Sequence, residues 1–345
     1  MYQNGVRCIG AIVSAVSPMG IKKCNLDVLE LSVSMAGDGE VKRSLSLVCA
    51  DNPDVDWYRD WIQVEMADGG EKKSLGIFAV GHVEKNSEGP STSLKIEGYD
   101  GAILAQEDCL IERFCIQKGA KYLDTIQSIL LSCGLTRVIS DKSDAVFATD
   151  RDDWDIGTSK LKIVNQLLGE ISFRELEIDE RGFAKLRRYI APSTSQIDHT
   201  YQNGKDSILH LQTTVSSDSH EVPNIFVAVV SNPDLEQPLI AKYINDNPLS
   251  KTSTVYTGRN KVQVISVDNI ATQEDLQQYV SKAAFEAIQV QEEVTFSTAL
   301  EWGHGVNDTV ALNIPQFQGV GVETQWSIDF NKCEMSHTVK KVVFL

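Results

Sequence analysis

The sequence lacks the features that mark membrane, disordered and disulfide-stabilised proteins. No apolar run approaches the roughly 18 residues that a transmembrane helix needs, so no membrane-spanning segment is predicted. A hydrophobic fraction of 42% and only 9 prolines in 345 residues exclude wholesale disorder. The 7 cysteines are odd in number and form no Cys-x-x-Cys pair, which argues against a disulfide framework or a zinc ribbon. We therefore expect reduced thiols and assembly in a reducing cytoplasm.

Positive charge is also scarce. Lys and Arg number 32 against 48 Asp and Glu, which gives a net charge of −16. The basic residues form short pairs, such as Lys22–Lys23 and Lys340–Lys341, and no extended patch. A protein that binds the phosphate backbone of nucleic acid needs a surface patch of positive charge. The sequence therefore predicts no surface that holds nucleic acid.

No catalytic or metal-binding motif is present. The sequence contains no HExxH, GxSxG, P-loop or GxGxxG pattern. His82 and His337 fall inside strand patterns, and His304 lies in a turn between two glycines. The acidic stretch at 150–155 lacks the alternating oxygen ligands and the closing Glu of a calcium loop. We accordingly predict no catalytic residue, no metal ligand and no cofactor.

Alternation of apolar and polar residues predicts strands near both ends of the chain. Close to the start, the apolar residues of 29–35 alternate with Glu30 and two serines, which puts Leu29 on the buried face. Polar turns separate this strand from several others before residue 100. Close to the end, 294–300, 310–314 and 322–330 alternate in the same way.

The rest of the chain has helical periodicity in three places. Apolar residues recur at helical spacing from Tyr122 to Cys133 and again over 159–168. A third helix is predicted over 272–287, with Thr272 as its N-cap. We expect this helix to pack one side on a β domain. That side consists of Leu276, Val280 and Ala284.

Together these patterns predict a β-rich α+β protein, in which two small β-barrel or β-sandwich domains flank a mixed α/β middle region. We divide the chain into a first β domain over 1–108 and a helical and hairpin domain over 109–190. A linker with a mixed β segment follows over 191–260. The helix and the second β domain occupy 261–345.

The motifs, taken in their order along the chain, resemble those of phage tail baseplate hub proteins. The resemblance extends to the hubs of contractile tails, tail-like bacteriocins and related tails. At the turn Gly305–Val310 that family more often has Gly-Asp, so this sequence departs from the pattern there. The matching segments are 61–64, 75–80, 96–100, 133–135, 154–158, 178–182, 224–227, 247–250, 272–287 and 330–335.

This resemblance implies a fold, an assembly and a set of partners. Both β domains would be of the tail-tube type, and the protein would be a homotrimer. Three chains would form a pseudo-six-fold ring that joins the tail tube to the tip spike. The implied partners are the tail tube protein, the tip spike protein and other baseplate proteins, with nucleic acid only passing through the lumen. The implied location is the virion tail or a phage-tail-like particle, assembled in the host cytoplasm.

The polar face of the strand at 322–330 is the candidate lumen surface. An acidic wall would repel phosphate, as a channel that passes nucleic acid requires. The basic residues that balance this acidic wall would then lie at subunit contacts or on the outer rim, where Lys340 and Lys341 are candidates. The alternative is that this face meets outside water. The predicted lumen-facing residues are Glu323, Gln325, Ser327 and Asp329.

Two other functions stay open at this point. A tail-associated cell-wall hydrolase would need a recognisable His, Cys or acidic motif, and a host-carbohydrate-binding tail protein would need exposed aromatic rings on loops. Trp57, Tyr58 and Trp61 form an aromatic cluster, but their spacing more simply indicates packing in a turn or helix.

Overall fold

The computed structural model describes residues 2–341, except for positions 4–5, 8, 19, 89–90, 153, 191–195, 206, 217–221, 231–238, 268–269, 271 and 289–291. The start of the predicted linker, at 191–195, and the residues after Lys341 lie outside the described residues. Within the described part, no helix is both long and apolar enough to cross a membrane.

Strands dominate the first and last parts of the chain, and most helices lie between them. The first part contains β1 (Tyr2–Gln3), β2 (Val6–Arg7), β3 (Ile9–Val16), β4 (Lys22–Asn25), β5 (Val28–Ala36), β6 (Arg43–Ala50), β7 (Trp61–Asp68), β8 (Glu71–Glu88) and β9 (Ser91–Tyr99). The middle contains α1 (Ile103–Glu107), α2 (Tyr122–Ser132), β10 (Val138–Ser140), α3 (Lys160–Glu170), β11 (Glu177–Ile178) and β12 (Ala184–Leu186).

The remaining elements complete a second β part. They are β13 (His199–Gln202), β14 (Leu209–Ser216), β15 (Ile225–Val230), β16 (Leu239–Ile244), α4 (Thr254–Thr257), β17 (Val262–Val267), α5 (Gln273–Ile288), β18 (Glu293–Ala299), β19 (Thr309–Ile314), β20 (Phe317–Asp329) and β21 (Glu334–Lys341). The β-rich α+β fold class predicted from the sequence is confirmed.

A single large sheet joins the two ends of the chain. Its main path runs β14-β18-β21-β20-β5-β6-β9-β8-β7-β3-β4, and β19 and β13 branch from β20. The two ends meet where β5 pairs with β20 in antiparallel register, with Ser34 opposite Ser327. The two predicted β domains are therefore continuous through one ladder of backbone hydrogen bonds.

The core under this sheet is shared by both ends of the chain. Leu31, Val33 and Met35 of β5 are at most 2% exposed, as their alternation predicts. They belong to one buried cluster with Trp326 and Ile328 of β20. Burial of such side chains contributes roughly 1.5–3 kcal/mol each, so the cluster stabilises the joint as well as each end.

One position in β5 differs from the alternation. Leu29 is 61% exposed, although the period of two puts it on the buried face. The register of β5 against β6 shifts between Val28 and Glu30, which marks a β-bulge. A bulge inserts one extra residue and reverses the side on which its neighbours lie, so Leu29 leaves the core.

The middle region packs around α2 and α3 and has its own core. Trp154, within the acidic stretch at 150–155, is buried against Phe114 with ring centroids 5.7 Å apart, so its ring belongs to the core of the middle region. The buried Arg151 guanidinium contacts the Glu170 carboxylate at 2.9 Å. Glu170 also accepts a hydrogen bond of 2.9 Å from the Tyr122 hydroxyl, so this buried charge is well satisfied.

A separate three-stranded sheet, in the order β16-β15-β17, is covered on one face by α5. The predicted helix at 272–287 is confirmed, and so is its packing side, because Leu276, Val280 and Ala284 have no exposed surface. The Thr272 hydroxyl accepts a hydrogen bond from the backbone N–H of Asp275, as the predicted N-cap requires.

Ala284 offers a direct test of this packing. Ala284→Asp would place a carboxylate in a dry interface without a partner, so we expect a loss of about 3 kcal/mol or more in the free energy of unfolding. Gln278→Asp, on the exposed side of the same helix, is the matched control and should cost less than about 1 kcal/mol. Urea denaturation measures both values. Equal midpoints for the two variants would contradict the assignment.

Candidate functional site

One face of the large sheet carries a continuous row of serines. Directly opposed positions on β18, β21, β20, β5 and β6 are all serine, and all five are half-buried. In two places the hydroxyls lie close enough to hydrogen-bond: Ser34 Oγ to Ser44 Oγ at 2.8 Å, and Ser297 Oγ to Ser336 Oγ at 3.4 Å. We call these residues the serine row. Its members, in order, are Ser297, Ser336, Ser327, Ser34 and Ser44.

The neighbouring rows on this face are also polar, and they contain carboxylates but no Lys or Arg. One is Ala299, Glu334, Asp329, Ser32, Ser46, Glu97 and His82. The other is Thr295, Thr338, Gln325 and Ala36. We call the three rows the polar face. Its short hydroxyl side chains and acidic groups do not themselves bind a phosphate backbone. Of the basic groups beside it, Lys332 pairs with Asp329 at 3.1 Å, and Lys340 lies in the row beyond Thr338.

Three of the four residues predicted to face a lumen lie on this polar face. Gln325 is exposed, and Ser327 and Asp329 are half-buried. Glu323 is different, because its side chain has no exposed surface and lies on the core side of the strand. The register of β20 against β21 shifts between Glu323 and Gln325, so a β-bulge separates Glu323 from the other three. The expectation that Glu323 shares their face is therefore corrected.

Glu323 instead lies at the centre of a buried cluster of titratable groups. Its two carboxylate oxygens lie 2.6 Å from His304 Nδ1 and 2.6 Å from His337 Nδ1. The side chains of His304 and His337 are 1% and 0% exposed. His337 lies in β21, in the strand that the sequence predicts, and His304 lies in the loop between β18 and β19. Glu323 thus ties that loop to two strands.

Hydroxyl groups extend the cluster from both histidines. The Tyr201 hydroxyl donates to Glu301 Oε2 at 2.7 Å and lies 2.9 Å from His304 Nε2. On the other side, the Thr298 hydroxyl donates to the carbonyl of Ala299 at 2.8 Å and lies 2.9 Å from His337 Nε2. Every polar atom of these side chains near the centre therefore has a partner, as buried groups require.

Burial and hydrogen bonding set the charges in this cluster. Although burial lowers it, the hydrogen bonds to Glu301 and Glu323 raise the pKa of His304 to about 9. Burial lowers the pKa of His337, in spite of its contact with Glu323. Burial opposes ionisation of Glu323, but its two histidine partners hold its pKa below the usual range. Burial, followed by the hydrogen bond to Glu301, raises the pKa of Tyr201, so its hydroxyl keeps its proton.

Two groups of these side chains have potential metal ligands within 4.8 Å of one another: His304 with Glu323 and His337, and His304 with His199 and Glu301. In the second group the rings of His199 and His304 stack 3.7 Å apart at 15°, so their lone pairs run nearly parallel and do not converge. In the first group the two rings are tilted by 56° around the carboxylate. Spacing along the sequence gives no sign of this group, because folding brings residues 304, 323 and 337 together from separate elements.

The large sheet has free edges among the described strands. β14 pairs only with β18, β4 pairs only with β3, and β13 pairs only with β19. These three strands end the large sheet, and their outer backbone groups have no partner among the described strands. Such edges are ready to pair with, or be covered by, another chain.

The fold as a whole is similar to that of solved tail proteins, although sequence comparison finds no matching family model and no matching curated protein. The tail protein from Neisseria meningitidis MC58 superposes with a TM-score of 0.71 at 11% identity, over 96% of this chain and 97% of that one. The 43 kDa tail protein of prophage MuSo2 from Shewanella oneidensis gives a TM-score of 0.68 at 9% identity, over 97% of this chain and 98% of that one.

A third similar structure is the prophage tail protein gp18 from Listeria monocytogenes EGD-e, with a TM-score of 0.62 at 10% identity, over 96% of this chain and 94% of that one. At such low identity the likeness establishes the fold. The chain therefore has a phage tail protein fold along nearly its whole length, and the resemblance drawn from the sequence is confirmed at that level.

Tyr201 links the buried cluster to the surface, which gives a test of the cluster's contribution to stability. Tyr201→Phe removes the hydroxyl 2.9 Å from the buried His304 Nε2 and leaves that nitrogen with only the more distant Glu301 Oε2 at 3.7 Å, so we expect a loss of about 1–2 kcal/mol in the free energy of unfolding. Tyr58→Phe removes a hydroxyl from a fully exposed ring and is the matched control, with no expected change. Urea denaturation compares the two variants. A Tyr201→Phe midpoint equal to that of the wild type would show that the hydrogen bond does not stabilise the fold.

Proposed function

We propose that this protein is a structural hub of a phage tail or a phage-tail-like particle. In this role it forms a homotrimeric, pseudo-six-fold ring that joins the tail tube to the tip spike. Its partners are the tail tube protein, the tip spike protein and other baseplate proteins. Assembly takes place in the host cytoplasm, and the finished protein resides in the tail.

The observation that carries the proposal is the two-sided character of the large sheet. One side holds a core to which both ends of the chain contribute, and the other side carries the polar face, which the rows with Lys340 and Lys95 border. The wall of a channel that passes nucleic acid needs both properties. The core side makes the wall rigid, and the side that faces the channel must not bind phosphate. Three copies would carry −48, which is three times the −16 of one chain, and would add a repelling field.

The sheet edges support closure into a ring. Three-fold rotation requires a head-to-tail contact, in which one surface of a chain meets a different surface of the next. The main path of the large sheet ends in two different strands, β4 and β14, and among the described strands each has a free edge; β13, on the branch through β19, has a third. Contact between β14 of one copy and β4 of the next would cover both edges and continue the polar face around the ring.

The proposed role includes no catalysis. The buried Glu323 and its two histidines have at most 1% exposed side-chain surface, so a cell-wall substrate cannot reach them. Of the aromatic cluster considered for carbohydrate binding, Tyr58 is exposed, whereas Trp57 packs against the core and Trp61 is half-buried. A single exposed ring offers little stacking surface for a glycan.

Mass measurement tests the assembly. Light scattering and native mass spectrometry of the untagged chain, alone and co-expressed with its tube and spike proteins, should give a species of about 114 kDa, three times the 38.1 kDa of one chain. Free sheet edges make the separated chain prone to association. A chain that stays monomeric both alone and with its partners would overturn the trimeric hub.

Addition of positive charge to the polar face tests the lumen assignment. Gln325→Lys with Ser46→Lys adds two positive charges per chain at exposed positions of that face. In a ring these charges would surround one channel, so we expect salt-dependent binding of single-stranded oligonucleotides. The control, Gln127→Lys with Gln278→Lys, adds the same charge on exposed helix surfaces elsewhere. Equal oligonucleotide affinity for the two double variants would contradict the lumen assignment.

A further inference from the structure

The buried cluster around Glu323 has the composition of a metal site. Three side chains with ligand atoms, one carboxylate and two imidazoles, converge from the β18–β19 loop, from β20 and from β21. Their ligand atoms all lie within 4.8 Å of one another, and all three residues are buried. Two histidines with one glutamate form a set that binds zinc in proteins.

A hydroxyl group lies 2.9 Å from the outer nitrogen of each imidazole, Thr298 at His337 Nε2 and Tyr201 at His304 Nε2. A hydroxyl has a single proton to donate. When the Thr298 hydroxyl gives its proton to the carbonyl of Ala299, and the Tyr201 hydroxyl gives its proton to Glu301, both can accept from Nε2. In that arrangement both rings donate outward through Nε2, and a neutral imidazole has its lone pair on Nδ1, which faces Glu323.

Both Nδ1 atoms point at the same carboxylate. Each lies 2.6 Å from an oxygen of Glu323, a distance at which a lone pair facing a carboxylate oxygen would be repelled. A proton or a metal ion must therefore lie between each nitrogen and the carboxylate. If protons fill both positions while both rings also keep Nε2–H, two imidazolium ions lie with ring centres 4.8 Å apart in a buried site. One divalent cation supplies the same charge at the point where the ligands converge.

We propose that His304 Nδ1, His337 Nδ1 and the carboxylate of Glu323 bind one divalent transition-metal ion of the zinc type. With a bidentate carboxylate, the three residues supply four ligand atoms and close the coordination sphere, as in a structural site. The ion ties the β18–β19 loop to β20 and β21. This inference does not depend on the proposed hub function.

The geometry needs only small adjustments to receive the ion. Zinc–ligand bonds of about 2.0–2.2 Å put each imidazole nitrogen about 3 Å from the carboxylate oxygens, so each Nδ1 would move outward by less than about 1 Å from its present 2.6 Å. The outward donation of Nε2–H to Tyr201 and Thr298 is the arrangement that orients metal-bound imidazoles in known sites. His304 also lines a surface cavity together with Glu301, which gives the ion a route from solvent.

The test uses the untagged full-length chain. The wild type is unfolded, stripped with chelator, refolded with or without one equivalent of Zn²⁺ and freed of unbound metal by gel filtration. We expect one zinc per chain and a rise of about 5 °C or more in the melting temperature of the zinc-loaded protein. His337→Gln and Glu323→Gln should each weaken zinc binding by at least about 100-fold. His210→Gln, at an exposed histidine, is the matched control and should bind like the wild type.

A spectroscopic measurement on the wild type keeps the proposal testable if those variants do not fold. X-ray absorption of the zinc-loaded protein should show two imidazoles and oxygen at about 2.0–2.2 Å, and Co²⁺ in its place should give the visible bands of a four-coordinate site. Wild-type protein that refolds equally well with chelator and retains no zinc above background would overturn the proposal, because the cluster would then be a proton-only network. Zinc that stays bound equally well in the His337→Gln and Glu323→Gln variants would also overturn the proposal.

Discussion

The backbone pairing of β5 with β20 is the contact on which the rest of the structure depends. It joins strands about 290 residues apart in the sequence and sets Ser34 opposite Ser327 and Val33 opposite Ile328. Because side chains alternate along a strand, a slip by one residue would turn the serines into the core and the apolar residues outward. The shared core and the polar face are two consequences of the same register, so the apolar side holds the polar side in place.

The buried cluster around Glu323 lies next to that pairing and determines where β20 changes its partner strand. β20 pairs with β19 over its first half and with β5 over its second half, and the bulge after Glu323 lies between the two. A buried carboxylate costs several kcal/mol unless its partners satisfy it fully. His304 and His337 do so from a loop and from β21, and they thereby fix the point at which β20 passes from one pairing to the other. Removing either partner should therefore disturb the geometry of the sheet as well as its stability.

Local periodicity in the sequence predicts the helices and strands but not which distant strands pair with one another. The alternation around Val33 and the helical spacing from Leu276 to Ala284 each reflect burial on one side, and both predictions are confirmed. The period of two puts Leu29 and Glu323 on the wrong side of their strands for one shared reason. Each lies beside a β-bulge, and a bulge breaks the period of two without a clear signal in composition.

The candidate site shows the same limit. Gln325, Ser327 and Asp329 lie on one face because they follow the bulge in regular alternation, and this could be read from the sequence. The serine row could not be predicted from the sequence, since it depends on the order of five strands from both ends of the chain. The histidine cluster could not either, because Tyr201, His304 and His337 are brought together by pairing between distant strands. The assignment of the polar face to a lumen needs a ring, which one chain does not contain.

A cryo-electron microscopy reconstruction of the assembled particle at side-chain resolution would test the central claim most directly. The account predicts three copies around a central channel, with Ser34 and Ser327 of every copy facing the channel and the shared core behind them. A ring in which the serine row lies on the outer surface, or a channel lined by Lys and Arg, would contradict it.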